Sequence, residues 1–163
     1  AMIDFEIKPY TKDHKQTVLD LTLEAWSPVF ERTPGDVPTF AFEAFYPDGW
    51  QTRQISDVGA LLDSEPQCIW LAWLGTHVAG YIGIKLHPVD QMGEIYIIAV
   101  SPQFQRQGIS KRLMTFAEDY IREAGMKMIM VETIGDSGHE PARRSYEAFG
   151  FEPWPVARYF KKV

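Results

Sequence analysis

Cysteine is nearly absent. Cys68 is alone among 163 residues, so no disulfide can close within the chain, and its place in the apolar run Cys68-Ile69-Trp70-Leu71 favours packing over nucleophilic chemistry. Histidine is sparse as well: His14, His77, His87 and His139 are scattered without the spacing of a metal cage, and no metal is expected. No apolar run reaches the length of a bilayer span, and the N-terminus lacks the basic-then-apolar order of a secretory leader. A cytoplasmic chain without membrane contact is therefore expected, with Ala1 ahead of Met2 read as a cloning remnant. Positive charge is short too. The 16 Lys and Arg against 22 Asp and Glu leave a net charge of −6, which argues against nucleic-acid binding, because phosphate contacts need a basic face. Neither Gly-x-Gly-x-x-Gly nor a Gly-Lys-Ser/Thr loop occurs, which disfavours dinucleotide and ATP sites, and there are no repeats or low-complexity segments.

What is present suits one domain over residues 1–163, since 45% apolar residues suffice for a sizeable core at this length. Phe5 to Lys8 alternates like a half-buried strand. Thr11 can cap a helix carrying Val18, Leu21, Thr22 and Ala25 on one side, which should end before Pro28 and give way to a loop over Thr33 to Pro38. Phe40 to Trp50 is unusually aromatic, and a shorter helical pattern follows around Ile55, Val58 and Leu62. Cys68 to Leu74, Val78 to Ile84 and Glu94 to Val100 then read as three strands of an antiparallel meander. A helix crosses from the third of these to a parallel strand over Met126 to Thr133. Pro141 suits the first turn of a last helix, with Ala142, Ser145, Tyr146 and Phe149 on one face and Gly150 at its left-handed end. Phe151 to Lys161 supplies a final extended segment. The result is an α/β (α+β) fold: a mixed, mostly antiparallel sheet with helices on both faces.

The stretch from Ile95 to Tyr120 organises this plan. An apolar β-branched run ends at Val100, the Ser101-Pro102 break opens a polar loop, and Ile109, Leu113, Phe116, Ala117, Tyr120 and Ala124 then fall on one helical face. The first turn of such a helix has unpaired N–H groups and the positive end of the peptide dipole, a natural seat for phosphate or pyrophosphate. Gly108 permits close approach, and Arg106, Lys111 and Arg112 add positive charge around the turn. Alone, Gln105-Arg106-Gln107-Gly108-Ile109-Ser110 is equally a helix start with solvated basic residues.

Placed beside Ala142-Arg143-Arg144-Ser145-Tyr146-Glu147-Ala148-Phe149-Gly150-Phe151, the loop resembles the GNAT superfamily of N-acetyltransferases. Their [Gln/Arg]-x-x-Gly-x-[Gly/Ala] loop holds the acetyl-CoA pyrophosphate, and their later helix ends in Tyr-x-x-x-Gly-Phe. The resemblance covers Glu94 to Phe151 well and Gln67 to Ile84 through strand pattern. Two departures stand out: Ser110 replaces a Gly or Ala, and His139 stands where the family usually has Asn.

The resemblance implies a V-shaped splay between the two central strands, with Ile98, Ala99 and Val100 along the pantetheine arm. Arg106, Gln107, Gly108, Ile109, Ser110 and Lys111 would surround the pyrophosphate, with His139 a further cofactor contact. It implies direct acetyl transfer from acetyl-CoA to a primary amine of a small molecule, protein or peptide. Glu94 is the first candidate base, Glu132 the second, and Tyr146 the general acid. Trp26, Phe40, Phe45, Tyr46 and Trp50 belong to the region that covers the acceptor. Each carboxylate is also readable as a surface ion pair, Tyr146 as a core tyrosine, and the aromatics as lid packing. An acyl-CoA-binding regulatory module without turnover, or an interaction domain using the aromatic segment, are the alternatives. A homodimer stays open.

Overall fold

The computed structural model describes residues 4–163; Ala1 and Met2 lie outside them. Five strands form one sheet in the order of the chain: β1 (Phe5–Pro9), β2 (Ile69–Leu74), β3 (His77–His87), β4 (Met92–Val100) and β5 (Met128–Val131). The first three pairings are antiparallel and the last is parallel, as the helical crossover between β4 and β5 requires. The helices are α1 (Lys15–Asp36), α2 (Thr39–Phe45), α3 (Trp50–Ser64), α4 (Ile109–Glu123) and α5 (Glu140–Phe149).

Alternation along the strands sends side chains into two cores. On one face Val18, Leu19 and Leu21 of α1 and Val58 and Leu62 of α3 meet Ile69, Leu71 and Tyr81 of the sheet. On the other, Ile109, Leu113, Met114, Ala117 and Ile121 of α4 cover Ala72, Ala79, Ile82, Ile84 and Ile95, with Tyr146, Phe149 and Phe151 packed at the margin. The helical spacing of α4 therefore predicts its buried stripe, with Phe116 and Tyr120 turned onto Trp70 at ring distances of 5.5 and 4.9 Å. Within the first core the Thr22 hydroxyl donates to the Val18 carbonyl and shares a 2.7 Å hydrogen bond with the Tyr81 hydroxyl, so neither buried oxygen is orphaned.

Three local expectations are corrected. Thr11 does not cap the backbone of a helix: its hydroxyl meets His14 Nδ1 at 3.1 Å, a 3-10 turn occupies Lys12–His14, and α1 begins at Lys15. Nor does α1 end before Pro28. It runs through Pro28 and Pro34 to Asp36, absorbing the expected loop, although each proline removes a donor and leaves the carbonyl four residues earlier unpaired in the ladder. Contacts distant in sequence offset that cost. The Thr33 hydroxyl shares its one hydrogen between the Val29 carbonyl, one turn back in α1, and the distant Asp136 carboxylate, both at 3.0 Å, and the Asp36 carboxylate accepts from the Ser137 N–H at 2.8 Å and from its hydroxyl. The Ser137–His139 turn lies so close to α1 that a Cβ at Gly138 would stand 2.7 Å from the Val29 carbonyl oxygen. The third correction concerns the segment after Gly150, which pairs with no strand; Phe160 instead rests edge-on against Phe45 at 5.8 Å.

Candidate active site

β4 and β5 pair only where Met92 to Ile95 face Met128 to Val131. From Tyr96 to Val100 the edge of β4 has no neighbour among the described residues, which opens the splay between the two central strands. Ile98, Ala99 and Val100 lie on this free edge, where an extended ligand can take the place of a strand.

At the end of that edge Ser101 caps a short turn through Gln103 N–H, and the chain reaches Arg106 and Gly108, whose φ angles are +64° and +74°. Gly108 occupies the cap position of α4 without a side-chain cap, and the first turn carries no acidic residue. The N–H groups of Ile109, Ser110 and Lys111 thus stand at an open, positive helix end. Gln105, Arg106, Gln107 and Lys111 are exposed around it, whereas the Ile109 side chain is buried and anchors the helix start. Arg112 does not join them: its guanidinium stacks over Phe5 at 3.6 Å, a contact that only the folded sheet reveals.

Glu94 lies at the closed end of the slot, opposite Lys85 on β3 and Met130 on β5. His87 Nε2–H donates to its carboxylate at 2.8 Å, so Glu94 is oriented while remaining part-exposed. Two residues on, Tyr96 is the extra residue of a β-bulge between the pairs Gly83–Ile97 and Ile84–Ile95. Its hydroxyl is buried without a hydrogen-bond partner, and burial, assisted by Cys68, Glu65 and Glu94, pushes its pKa up. Alternation alone could not single out Tyr96, because a bulge leaves no mark in the apolar pattern. Burial likewise pushes the Cys68 thiol up, which keeps it protonated and poorly nucleophilic. Glu132, just past β5, is exposed and makes no ion pair among the described residues.

Tyr146 sits on the inner face of α5, its ring edge-on to Phe151 at 5.9 Å and its hydroxyl without a hydrogen bond among the described residues. Desolvation raises its pKa, so the phenol stays protonated near neutrality and available as a donor. His139, at the cap of α5, donates through Nδ1–H to the Asp136 carboxylate, the same group that Thr33 binds. Asp136 and Thr33 are functional candidates the sequence alone did not bring together; the Asp-x-x-His spacing was the only local signal.

The aromatic segment forms a wall. Phe30 stacks on Trp50 at 4.6 Å and meets Tyr46 edge-on at 5.3 Å, while the Arg53 guanidinium lies over Phe45 and Tyr46. Burial raises the Tyr46 pKa, with Arg53 opposing. Phe45, Tyr46 and Trp50 are thus brought together. Trp26 instead packs toward the first core, and Phe40 is half-buried on α2. Phe30 and Arg53 complete the wall; Phe30 fell in the stretch expected to lie beyond the helix. No group of three or more His, Cys, Asp or Glu able to hold a metal, and no helix long and apolar enough to cross a membrane, occurs among the described residues.

Comparison with known proteins agrees with this geometry. The chain is 30% identical over 92 residues to a mycothiol acetyltransferase of Thermomonospora curvata, covering 56% of this chain and 30% of that one. It is 32% identical over 84 residues to an uncharacterised N-acetyltransferase of Bacillus subtilis, covering 51% and 54%. It thus spans about a third to a half of the length of these curated relatives. The fold matches the PaiA N-acetyltransferase of Thermoplasma acidophilum, solved with coenzyme A, at a TM-score of 0.72 and 16% identity over 95% of this chain and 94% of that one. A sequence model of the Acetyltransferase (GNAT) family matches residues 18–151, a span holding the splayed strands, the Gly108 turn and α5, and the chain accordingly belongs to the GNAT family of acetyltransferases.

Proposed function

We propose that residues 1–163 act as one catalytic domain that transfers the acetyl group of acetyl-CoA directly to a primary amine. The observation that carries this reading is the continuity of the free β4 edge with the uncapped, positively charged start of α4. An extended arm bonded to Ile98, Ala99 and Val100 would lead its pyrophosphate onto the amides following Gly108. Coenzyme A in the Thermoplasma neighbour supports the same ligand here.

The amine would enter past Phe45, Tyr46 and Trp50, whose faces can hold its apolar body or its cation. An alkyl ammonium is mostly protonated near neutrality, so a base is needed; Glu94, oriented by His87, is best placed and Glu132 is second. Once the C–N bond forms, the C–S bond breaks and its electron pair leaves on sulfur. Tyr146 can protonate that thiolate, whose conjugate thiol has an ordinary pKa of about 8.5, so its help is moderate. His139 stands at the cap of α5, within the region expected to face the cofactor.

The test is acetyl-CoA-dependent thiol release measured with kanamycin, glucosamine, spermidine and a peptide bearing a free amino terminus, with product mass identifying the acetylated amine. Turnover with at least one of them is expected. Tight acetyl-CoA binding without turnover on any would replace this reading with a regulatory binding module. Glu94→Gln should lower acceptor kcat/KM about a hundredfold while acetyl-CoA affinity stays parental; an unchanged rate would move the role to Glu132.

A further inference from the structure

The acceptor nitrogen enters with three protons and leaves in the amide with one, so two protons must depart in each turnover. A single carboxylate holds only one at a time. We propose that His139 is the second proton acceptor, held in register by Asp136 and Thr33; this rests on the acetyl-transfer reading above.

Asp136 is 8% exposed and has no Lys or Arg ion pair within the described residues. Its carboxylate is shared between the Thr33 hydroxyl, at 3.0 Å, and His139 Nδ1–H. A buried carboxylate in that position fixes one tautomer of the ring, leaves the Nε2 lone pair free, and stabilises the imidazolium once Nε2 takes a proton. The ring keeps about 20% of its surface exposed, enough to receive and discharge a proton.

Its placement fits the task. The turn that carries it continues from the open end of β5 and is seated on α1 at Val29 and Thr33. Thr33, which binds Asp136, is one helical turn beyond Phe30, the residue stacked on Trp50, so α1 carries both a support of the Asp136–His139 pair and a member of the aromatic wall. His139 is the N-cap of α5 and Tyr146 lies seven residues later in the same helix, about 10 Å along its axis. The other charged groups around the ring are engaged. Arg143 donates to the carbonyls of Ile134 and Asp136, Glu140 pairs with Arg144, and Asp36 of α1, with Arg32 nearby, is bonded to Ser137.

In the completed step Glu94 takes the first proton from the ammonium, the free amine attacks the thioester carbon, and the C–N bond forms. The C–S bond then breaks with its electrons on sulfur, which takes the Tyr146 proton. His139 Nε2 removes the second nitrogen proton. Glu94 and His139 each release a proton to water, and water reprotonates the Tyr146 phenolate. The sum is ammonium plus acetyl-CoA giving amide, CoA thiol and one proton.

The test pairs nitrogen-15 NMR of the imidazoles with kinetics on the amine found in the panel above. In the parent, His139 should be held as a single Nδ1–H tautomer, and Asp136→Asn should release the ring to exchange between tautomers. The base must be neutral to accept a proton, so kcat/KM for the amine should carry a rising pH limb that depends on the His139 ring. Asp136→Asn, which removes the carboxylate that orients the ring, should reduce the plateau. His139→Asn should cut acceptor kcat/KM about a hundredfold and abolish the limb, a loss carried by kcat and larger than any change in acetyl-CoA Kd. A freely exchanging tautomer, or a raised acetyl-CoA Kd with an unchanged kcat, overturns the proposal and leaves His139 a cofactor contact. A fixed tautomer with acetyl-CoA bound and no amine acetylated removes the base role by removing the reaction, while the Asp136–His139 pair stands; that result is distinct from a ring that is never fixed.

Discussion

Between Gln105 and Gly108 the chain is shaped by its own backbone, with departures into positive φ at Arg106 and Gly108 ending at an uncapped helix, whereas the wall of Phe30, Tyr46 and Trp50 exists only because three helices meet. The turn is open space. No atom lies within 4 Å of a Cβ built at Gly108, so its shape is set by torsion angles and not by neighbours. The wall is the reverse, with ring contacts at every member and a guanidinium laid over two of them. On the proposed reading, a site for an invariant ligand is written locally, while a surface for the acceptor is assembled from distant parts.

The largest effect that would sharpen this contrast is at the turn. Gly108→Glu should raise the acetyl-CoA Kd by more than about a hundredfold, since a carboxylate would occupy the anion seat. Gly108→Ala, which adds only left-handed strain of about 1–2 kcal/mol, should cost far less. Equal losses from both variants would show that backbone shape, not charge, governs binding there. Next is Tyr146→Phe, expected to lower kcat about a hundredfold with acetyl-CoA affinity and Tm near parental; full turnover would leave Tyr146 a packing residue. Trp50→Ala should raise the acceptor KM about tenfold without moving the acetyl-CoA Kd, because it removes one stacked face of the wall. A change confined to cofactor affinity would break the division into two regions.

The smallest effect lies where the regions are tied. Ser137 donors hold the Asp36 carboxyl below the usual carboxylate range, chiefly through the hydroxyl and then through the N–H. A depressed pKa contributes stability above the ordinary carboxylate value and loses it as pH falls through the lowered one. Ser137→Ala should therefore lower Tm slightly near neutral pH, with the difference from the parent closing as the pH falls below the ordinary carboxylate range. A difference that widened in acid would reverse the sign of the linkage.

The same division explains what could be read from the sequence. Strand alternation gave the meander, and the 3.6-residue spacing gave α4 and α5, because these patterns are local and two-sided burial enforces them. The continuation of α1 through Pro28 and Pro34 was invisible. Its support comes from Asp136 and Ser137, a hundred residues later, and proline alone reads as an end. The Tyr96 bulge was missed for a related reason, since one inserted residue changes which neighbour a side chain meets without altering the apolar run that contains it. The wall was legible as composition, but Phe30 and Arg53 joined it only through tertiary contact.

The order of the sheet also bears on how the slot comes to exist. β2, β3 and β4 are consecutive hairpin partners, so their contacts close short loops, whereas β1 must find β2 across about sixty residues and β5 must wait for the whole of α4. Short loop closure therefore predicts that β4 forms early, with β5 pairing only along Met92 to Ile95 and leaving Tyr96 to Val100 bare. The slot is not opened by prying apart a finished sheet. It is the length of an early strand that a short late strand never covers.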